Sequence, residues 1–470
     1  MMGLFNILDM GASSLDVQTQ GTSVTGENLA NVNNPAYSRQ VVQLGPSTPL
    51  NTTIGQEGTG VTATAITQVV DALLNGQIQS EAGVTGSLNA QQTALQDAEG
   101  ALGEQITNTS TSGTDSSPNG IAASLSSLFQ SLQALSVSPS DTSLRQAVIA
   151  SAQDLATQFN QVSSSLTNLV GTINNSITSD VASVNQDAAQ IASLNKQIVE
   201  AQAIGGSANE LLDQREQALE DMAGKINFTT STEANGAIDI NTNGITLVSG
   251  ITQSDSLVAA WQPTTGQWLV KSQNLGTFIT PSGGSIEGDI TARSGAVAQL
   301  QTGLNTLAGQ LITSVNTIYS AGYDSNGNTG QDFFTGTDAA SIGVNSALPN
   351  DPGQFQASGT PGNAGDNTVA LALAQLANTS LSGLNNQTLS GSYADTVANL
   401  GSSLASVNDQ VTNNGAMSQM LTNQRDSVSG VNIDEEMTNL MQYQKAYEAS
   451  AQLISTINQM LQTVVSMKST

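Results

Sequence analysis

Cysteine and histidine are both absent from the 470 residues. Without Cys the chain has no disulfide, thiolate nucleophile or sulfur-ligated zinc, and without His it has no Ser-His-Asp triad and no imidazole metal ligand. Charge is scarce as well, since Asp, Glu, Lys and Arg make up 10% of the residues, where roughly 25% is usual. Only 10 of them are basic against 37 acidic, a formal net charge of −27 that repels phosphate backbones and anionic bilayers. Nucleic acid and membrane are therefore not expected partners. Aromatics contribute 3%. No apolar run is long enough to span a bilayer, and Met1 to Met10 lack the basic start of a secretory leader.

What is present is a core's worth of aliphatic residues, 38% by the usual apolar set, diluted with Ser, Thr, Asn, Gln and 44 Gly. The pattern changes along the chain. Leu8, Leu15 and Leu29 form a weak helical stripe that Pro35 is expected to end, because the residue before proline leaves the helical region. Residues 40–66 read as short strands and turns. From about 67 to 225 the apolar spacing is helical, for example Leu155, Phe159, Val162, Leu166 and Leu169, with a polar loop expected at 107–120 and a break at Pro139.

Residues 226–290 shift to Thr, Val, Ile, Gly and Asn, hold both tryptophans, and place Asn243-Gly244 where a hairpin turn belongs. Helix is expected again at 291–320, and residues 321–366 form a Gly/Pro/Asn/Asp stretch too long to be structureless, so it is expected to wrap another element. The last segment is the most regular. Met437, Leu440, Gln444, Tyr447, Ala451, Ile454, Asn458, Leu461, Val465 and Lys468 alternate steps of three and four, a coiled-coil seam with polar interruptions at Gln444 and Asn458.

The expected fold is mainly α with an inserted small β domain, terminal helices pairing as a coiled coil, and a long antiparallel helix bundle in the middle. Its units are a terminal helical domain at 1–40 plus 430–470, a helical domain at 41–225 plus 291–429, and a β-rich outer domain at 226–290.

Three constellations suggest chemistry and fit simpler readings better. Ser193 and Lys196 have the Ser-x-x-Lys spacing but sit in a periodic helix without a Lys-Thr-Gly partner. Asp324-Ser-Asn-Gly-Asn328 starts like a calcium loop, yet Thr329 and Thr335 replace the Gly and Glu that such a loop needs. Asp434, Glu435 and Glu436 open a helix, where the macrodipole accounts for acids. No catalytic residue, metal site or cofactor is expected, and a carboxylate-only glycosidase lacks a candidate acid pair.

Asn28-Leu-Ala-Asn31-Val-Asn33-Asn-Pro35-Ala-Tyr37-Ser-Arg39-Gln40 resembles the N-terminal signature of bacterial flagellar rod, hook and hook-associated proteins, and its Tyr-Ser-Arg-Gln ending is similar to the hook-associated protein 1 family. Asn209-Glu-Leu-Leu-Asp213-Gln-Arg215-Glu216, Gly322 through Phe334, and Ser429-Gly430-Val-Asn432-Ile-Asp434-Glu435-Glu-Met437 through Tyr447 resemble the same family in the same order. Glu27, Asn34 and Ala36 depart from it, where the family more often has Asn, Thr and Gly.

The resemblance implies a non-enzymatic subunit of a ring at the hook–filament junction, exported unfolded through the flagellar type III apparatus and resident outside the cell. Its partners would be copies of itself, the hook protein, a second junction protein and an export chaperone. Leu8, Leu15, Leu29, Met437, Leu440, Tyr447, Ile454, Leu461 and Val465 are the expected assembly positions. A flagellin, another junction protein, or a type III-secreted effector or adhesin is the alternative.

Overall fold

The computed structural model describes residues 2–52, 55–103 and 120–468; most of the polar loop expected at 107–120 lies outside them. The chain opens with helix α1 (Met2–Ala30) and a two-stranded antiparallel ribbon of β1 (Gln40–Pro46) and β4 (Val61–Gln68), tipped by β2 (Leu50–Thr52) and β3 (Gly55–Glu57). α1 ends at Ala30, five residues before Pro35. The intervening turns, with Asn34 N–H donating to Asn31 O and Tyr37 N–H to Asn34 O, stop the helix ahead of the proline.

The body follows as α2 (Ala72–Leu102), α3 (Ile121–Val137), α4 (Thr142–Ala203) and α5 (Asn209–Ala223). α4 runs 62 residues, roughly 93 Å at the helical rise. Asp141 starts it by accepting from the N–H groups of Ser143 (2.8 Å) and Leu144 (3.4 Å). Its stripe from Val148 through Phe159, Leu166, Ile177 and Val184 to Ile198 is buried along the whole length, because spacings of three and four keep one face toward the core. That column is shared. Its first half packs on α3, and its second half carries the β strands that follow.

Those strands form a four-stranded sheet of β5 (Thr229–Thr232), β6 (Ile238–Thr242), β7 (Ile245–Ser249) and β8 (Thr252–Gln253), and a three-stranded sheet of β9 (Leu257–Gln262), β10 (Gln267–Ser272) and β11 (Phe278–Ile279). Asn243 (φ 47°) and Gly244 (φ 81°) make the β6–β7 turn. Both lie in the left-handed region that a two-residue hairpin needs, as the Asn-Gly pair predicts. Two asparagines on α4 fasten the sheets. Asn195 donates to the carbonyls of Ile238 (2.8 Å) and Gly250 (2.7 Å), and Asn185 exchanges two 2.8 Å bonds with the Leu257 backbone.

Helix returns at α6 (Gly284–Ala292), earlier than the expected 291, and passes through a π-helical turn at Arg293–Val297 into α7 (Ala298–Tyr319). The stretch at 321–366 is ordered, with β12 (Phe334–Thr335) paired to β13 (Gly343–Val344). It wraps the end of α7, where Phe333 and Phe355 pack on Tyr319 with ring centroids 5.2 and 5.3 Å apart. This aromatic cluster adds to the little regular secondary structure that the segment has. The chain closes with α8 (Thr368–Gln375), α9 (Leu389–Ser429) and α10 (Ile433–Lys468). α9 packs on α2 and α7, and α10 returns to α1. Among the described residues no helix is long and apolar enough to cross a membrane.

Candidate assembly site

The two ends of the chain meet as an antiparallel helix pair. A side chain at Gly11 would meet Ile454, Ser14 Oγ and Ser450 Oγ lie 2.9 Å apart, Gly21 faces the Tyr443 ring, and Asn28 Nδ2 donates to Glu436 Oε2 at 3.1 Å. These contacts step upward along α1 and downward along α10 in near-heptad increments, so one register holds from Gly11 to Asn28 of α1. The packing is close because α1 offers small residues. A Cβ at Gly11 would lie 2.8 Å from Ile454 Cγ1, and one at Gly21 would overlap the ring of Tyr443.

The seam is therefore rotated from the one expected in the sequence. On α10 the face toward α1 carries Glu436, Tyr443, Ser450, Ile454 and Ile457, of which Glu436 and Ile457 are buried. Ile454 lies in both versions, and Leu440 and Leu461 are half-buried. Met437, Tyr447 and Val465 instead face solvent, the last 69% exposed, and so do Gln444 and Asn458. The supposed polar interruptions thus do not interrupt this contact. On α1 the buried positions are Gly11, Val17, Gly21, Val24, Thr25 and Asn28, while Leu8, Leu15 and Leu29 are half-buried beside them. Periodicity of bulky side chains pointed one residue away from the true face because glycine and serine, which hydropathy does not count as a stripe, form the groove that admits Tyr443 and Ile454.

At the inner end of the helix pair the signature residues form a buried polar node. Asn28, 1% exposed, donates to the Gln40 carbonyl (2.9 Å) and to Glu436, while its Oδ1 accepts from Tyr37 Oη (2.8 Å) and Gln40 N–H (3.0 Å). All four of its hydrogen-bonding capacities are used. The Tyr37 hydroxyl is held well above its usual pKa by burial first and by the carboxylates of Glu27, Asp213, Glu210 and Glu436 after that, so it stays a donor. Arg39 pairs with Glu435 at 2.8 Å on the exposed side. Asn432 opens α10, its Oδ1 accepting from the N–H groups of Asp434 (2.9 Å) and Glu435 (3.3 Å). Gly430 holds the corner between α9 and α10, where a Cβ would collide with Asp426 O.

The macrodipole reading of the three acids is too simple, since Glu435 has a cationic partner and Glu436 belongs to the node. Asp434 remains an exposed first-turn acid. Asn31 bonds back to Glu27 O, and Asn33 and Pro35 line a cleft of about 340 Å³ beside the node. Asp213 accepts from Ser38 N–H (3.1 Å) and Gln68 Nε2 (2.7 Å), while Arg215 points elsewhere, donating to Asn195 Oδ1 (3.0 Å) and the Gly236 carbonyl (2.8 Å) of the outer sheet. Gln68 joins this site without any local pattern marking it, whereas Asn209 and Glu436 lie in segments that carry the family resemblance but show no sign there of their partners. Ser193 and Lys196 are exposed on α4, and Asp324 spends its carboxylate on Asn326 and Asn328 of its own loop. Among the described residues no cluster of three or more acids could hold a metal.

Removing Asn28 leaves the buried Glu436 carboxylate short of a donor, so Asn28→Ala is expected to destabilise the node by about 2–4 kcal/mol. Denaturation followed at Tyr37 and Tyr443, or proteolysis of the terminal helices, measures this. Asn28→Asp should be as damaging, because it sets a second carboxylate against Glu436.

The sequence that builds this helix pair and the body between its ends has counterparts among known proteins. The family described as "Flagellar basal body rod FlgEFG protein C-terminal" matches residues 422–467, and "Flagellar hook-associated protein FlgK helical domain" matches residues 110–334. The class is thus a structural protein of the bacterial flagellum. "Flagellar hook-associated protein 1" of Bacillus subtilis is 28% identical over 99% of this chain and 98% of its own length, and that of Salmonella typhimurium is 25% identical over 98% and 100%. Over nearly its whole length the chain is thus similar to the hook-associated protein 1 family. The solved structure of the flagellar hook junction protein FlgK from Burkholderia pseudomallei shares the fold, with a TM-score of 0.64 at 17% identity, over 75% of this chain and all of that one.

Proposed function

We propose that this protein is a structural subunit of the junction between flagellar hook and filament, assembled by packing the terminal helix pairs of neighbouring copies into a ring. The observation that carries the reading is the apolar surface left on α10 after its seam with α1 is filled. Met441, Met460 and Met467 are 49–75% exposed on α10, Leu453 beside Gly11 and Val464 extend the apolar surface at the edge of the seam at 41% and 39% exposed, and Tyr447 and Val465 are exposed as well. Phe5 and Ile7 add to this surface on α1. A helix that is apolar on several sides belongs inside a packed layer, and heterologous contacts between copies build such layers. Met-rich surface suits neighbours that are not identical, because the flexible thioether adapts its packing.

The same reading makes the hook protein and a second junction protein the neighbours below and above, with delivery as an unfolded chain assisted by a chaperone, and a final place outside the cell. It assigns no enzymatic activity. The effector or adhesin reading draws on the terminal helices alone and leaves the full-length family similarity without a reason. In a strain lacking the protein, electron microscopy is expected to show hooks without filaments. Wild-type protein restores them, and the variant Met441→Glu/Met460→Glu does not, although its monomer melts as the wild type does. Normal filaments in either the deletion strain or the strain carrying the variant would overturn the reading.

A further inference from the structure

The α1–ribbon–α10 module is joined covalently to the body at only two places, Val69–Asp71 before α2 and Gly430–Asn432 after α9. The two crossings lie side by side. Arg39 N–H donates to Ser429 O and Val69 N–H donates to Arg39 O, both at 2.8 Å, which brings them onto one line through Arg39. Two adjacent crossings define a hinge axis and leave rotation about it unopposed. The resistance comes from α5.

Asn209, Asp213, Glu216 and Glu220 recur at steps of four, three and four, so they share one face of α5. The first half of that face grips the module. Asn209 donates to Gln40 Oε1 (3.0 Å) and Ile66 O (3.1 Å), and Asp213 takes the Ser38 N–H and the Gln68 amide. The second half is fixed in the body, Glu216 accepting from Gln79 of α2 (2.8 Å) and Glu220 pairing with Arg425 of α9 (2.6 Å). Beside the stripe, the cleft of about 340 Å³ separates the 31–38 loop from α5 and the end of α9. The hinge therefore has room to turn on that side.

We propose that the acidic stripe of α5 is a clasp that sets the angle of the terminal module against the body, with Asp213 as the residue that engages it. The half-buried stripe is costly to maintain unless it holds something, since partial burial raises the carboxyl of Asp213 to about 6 and those of Glu216 and Glu220 above their usual range. A helix held by apolar contacts alone could slide. Paired hydrogen bonds of fixed direction specify one angle.

The inference concerns the free subunit, so its failure is separable from failure of the junction reading. The natural lack of Cys allows two labels to be placed without first removing any native cysteine. Spin labels at Ser193→Cys on α4 and Gln452→Cys on α10, both exposed, report the module's angle by pulsed electron resonance on the full chain. The unaltered stripe is expected to give one narrow distance distribution. Asp213→Ala should broaden it at least about two-fold, and Asp213→Asn, which keeps one acceptor, should restore part of the narrowing. If Asp213→Ala does not fold, Gln68→Ala/Gln40→Ala removes the side-chain bonds that the module makes to Asp213 and Asn209, leaving only the Ser38 N–H on Asp213, and should broaden the distribution likewise. A lowered melting temperature with an unchanged distribution means that the stripe only stabilises, and overturns the proposal.

Discussion

Gly21→Val is expected to abolish filament attachment while leaving the helical body folded. A Cβ at this position would overlap the ring of Tyr443, and the backbone of α1 cannot retreat without breaking the contacts at Gly11 and Asn28 on either side. Overpacking of this kind costs about 1–3 kcal/mol. That is small for the body but large for a helix pair held mainly by one seam. Gly26→Val is the control, since nothing lies within 4 Å of a Cβ built there. It introduces the same β-branched residue into the same helix and should cost only the difference in helix propensity between glycine and valine, which favours valine slightly. The double variant Gly21→Val/Tyr443→Ala should recover part of the attachment by emptying the space that valine enters. Filaments on Gly21→Val hooks, counted by electron microscopy, would show that the two ends need not meet in this register.

The second large effect concerns stability. Asp289 on α6 is 7% exposed, and its carboxyl is pushed up to about 7, first by burial and then by the charge of Asp180. Arg293 compensates only in part, because its guanidinium donates to Asn174 Oδ1 and to the Trp268 carbonyl. The folded carboxyl thus holds its proton more tightly than the unfolded one. Stability from this group is fully present below pH ~4 and is lost as pH rises through about 7. The shift from 3.8 corresponds to a loss on the order of 4 kcal/mol at alkaline pH. Asp289→Asn should remove that loss. Its thermal midpoint is expected to exceed the wild type's at pH 8 and to match it at pH 4. Equal midpoints at pH 8 would mean that water or a rearranged Arg293 already neutralises the charge.

The scarcity of charge acquires a structural meaning from three arginines that are buried or half-buried. Arg145 donates to the carbonyls of Pro139 and Gly353, Arg215 to Gly236, and Arg293 to Trp268. Each ties two distant segments of chain through neutral acceptors, a role for which the fixed fork of guanidinium donors is suited. Ion pairs are reserved for a few joints, among them Arg39–Glu435 and Arg425–Glu220 around the hinge.

By itself the sequence determined whatever depends on residues close together in the chain. The long stripe of α4, the Asn243-Gly244 hairpin and the change to β composition near residue 226 each follow from spacing or turn chemistry within a few residues. The signature around Asn28 to Gln40 carried the family. Only the tertiary structure decided which faces meet. The seam between α1 and α10 uses Gly11, Ser14 and Gly21, whose contribution is the space they leave for Ile454 and Tyr443, and space has no signal in a hydropathy pattern. Asn28 and Glu436 are 408 residues apart, and Asp213 is 145 from Gln68. Each of these polar groups is affordable inside the protein only because the other arrives, and no reading of one segment at a time contains its partner.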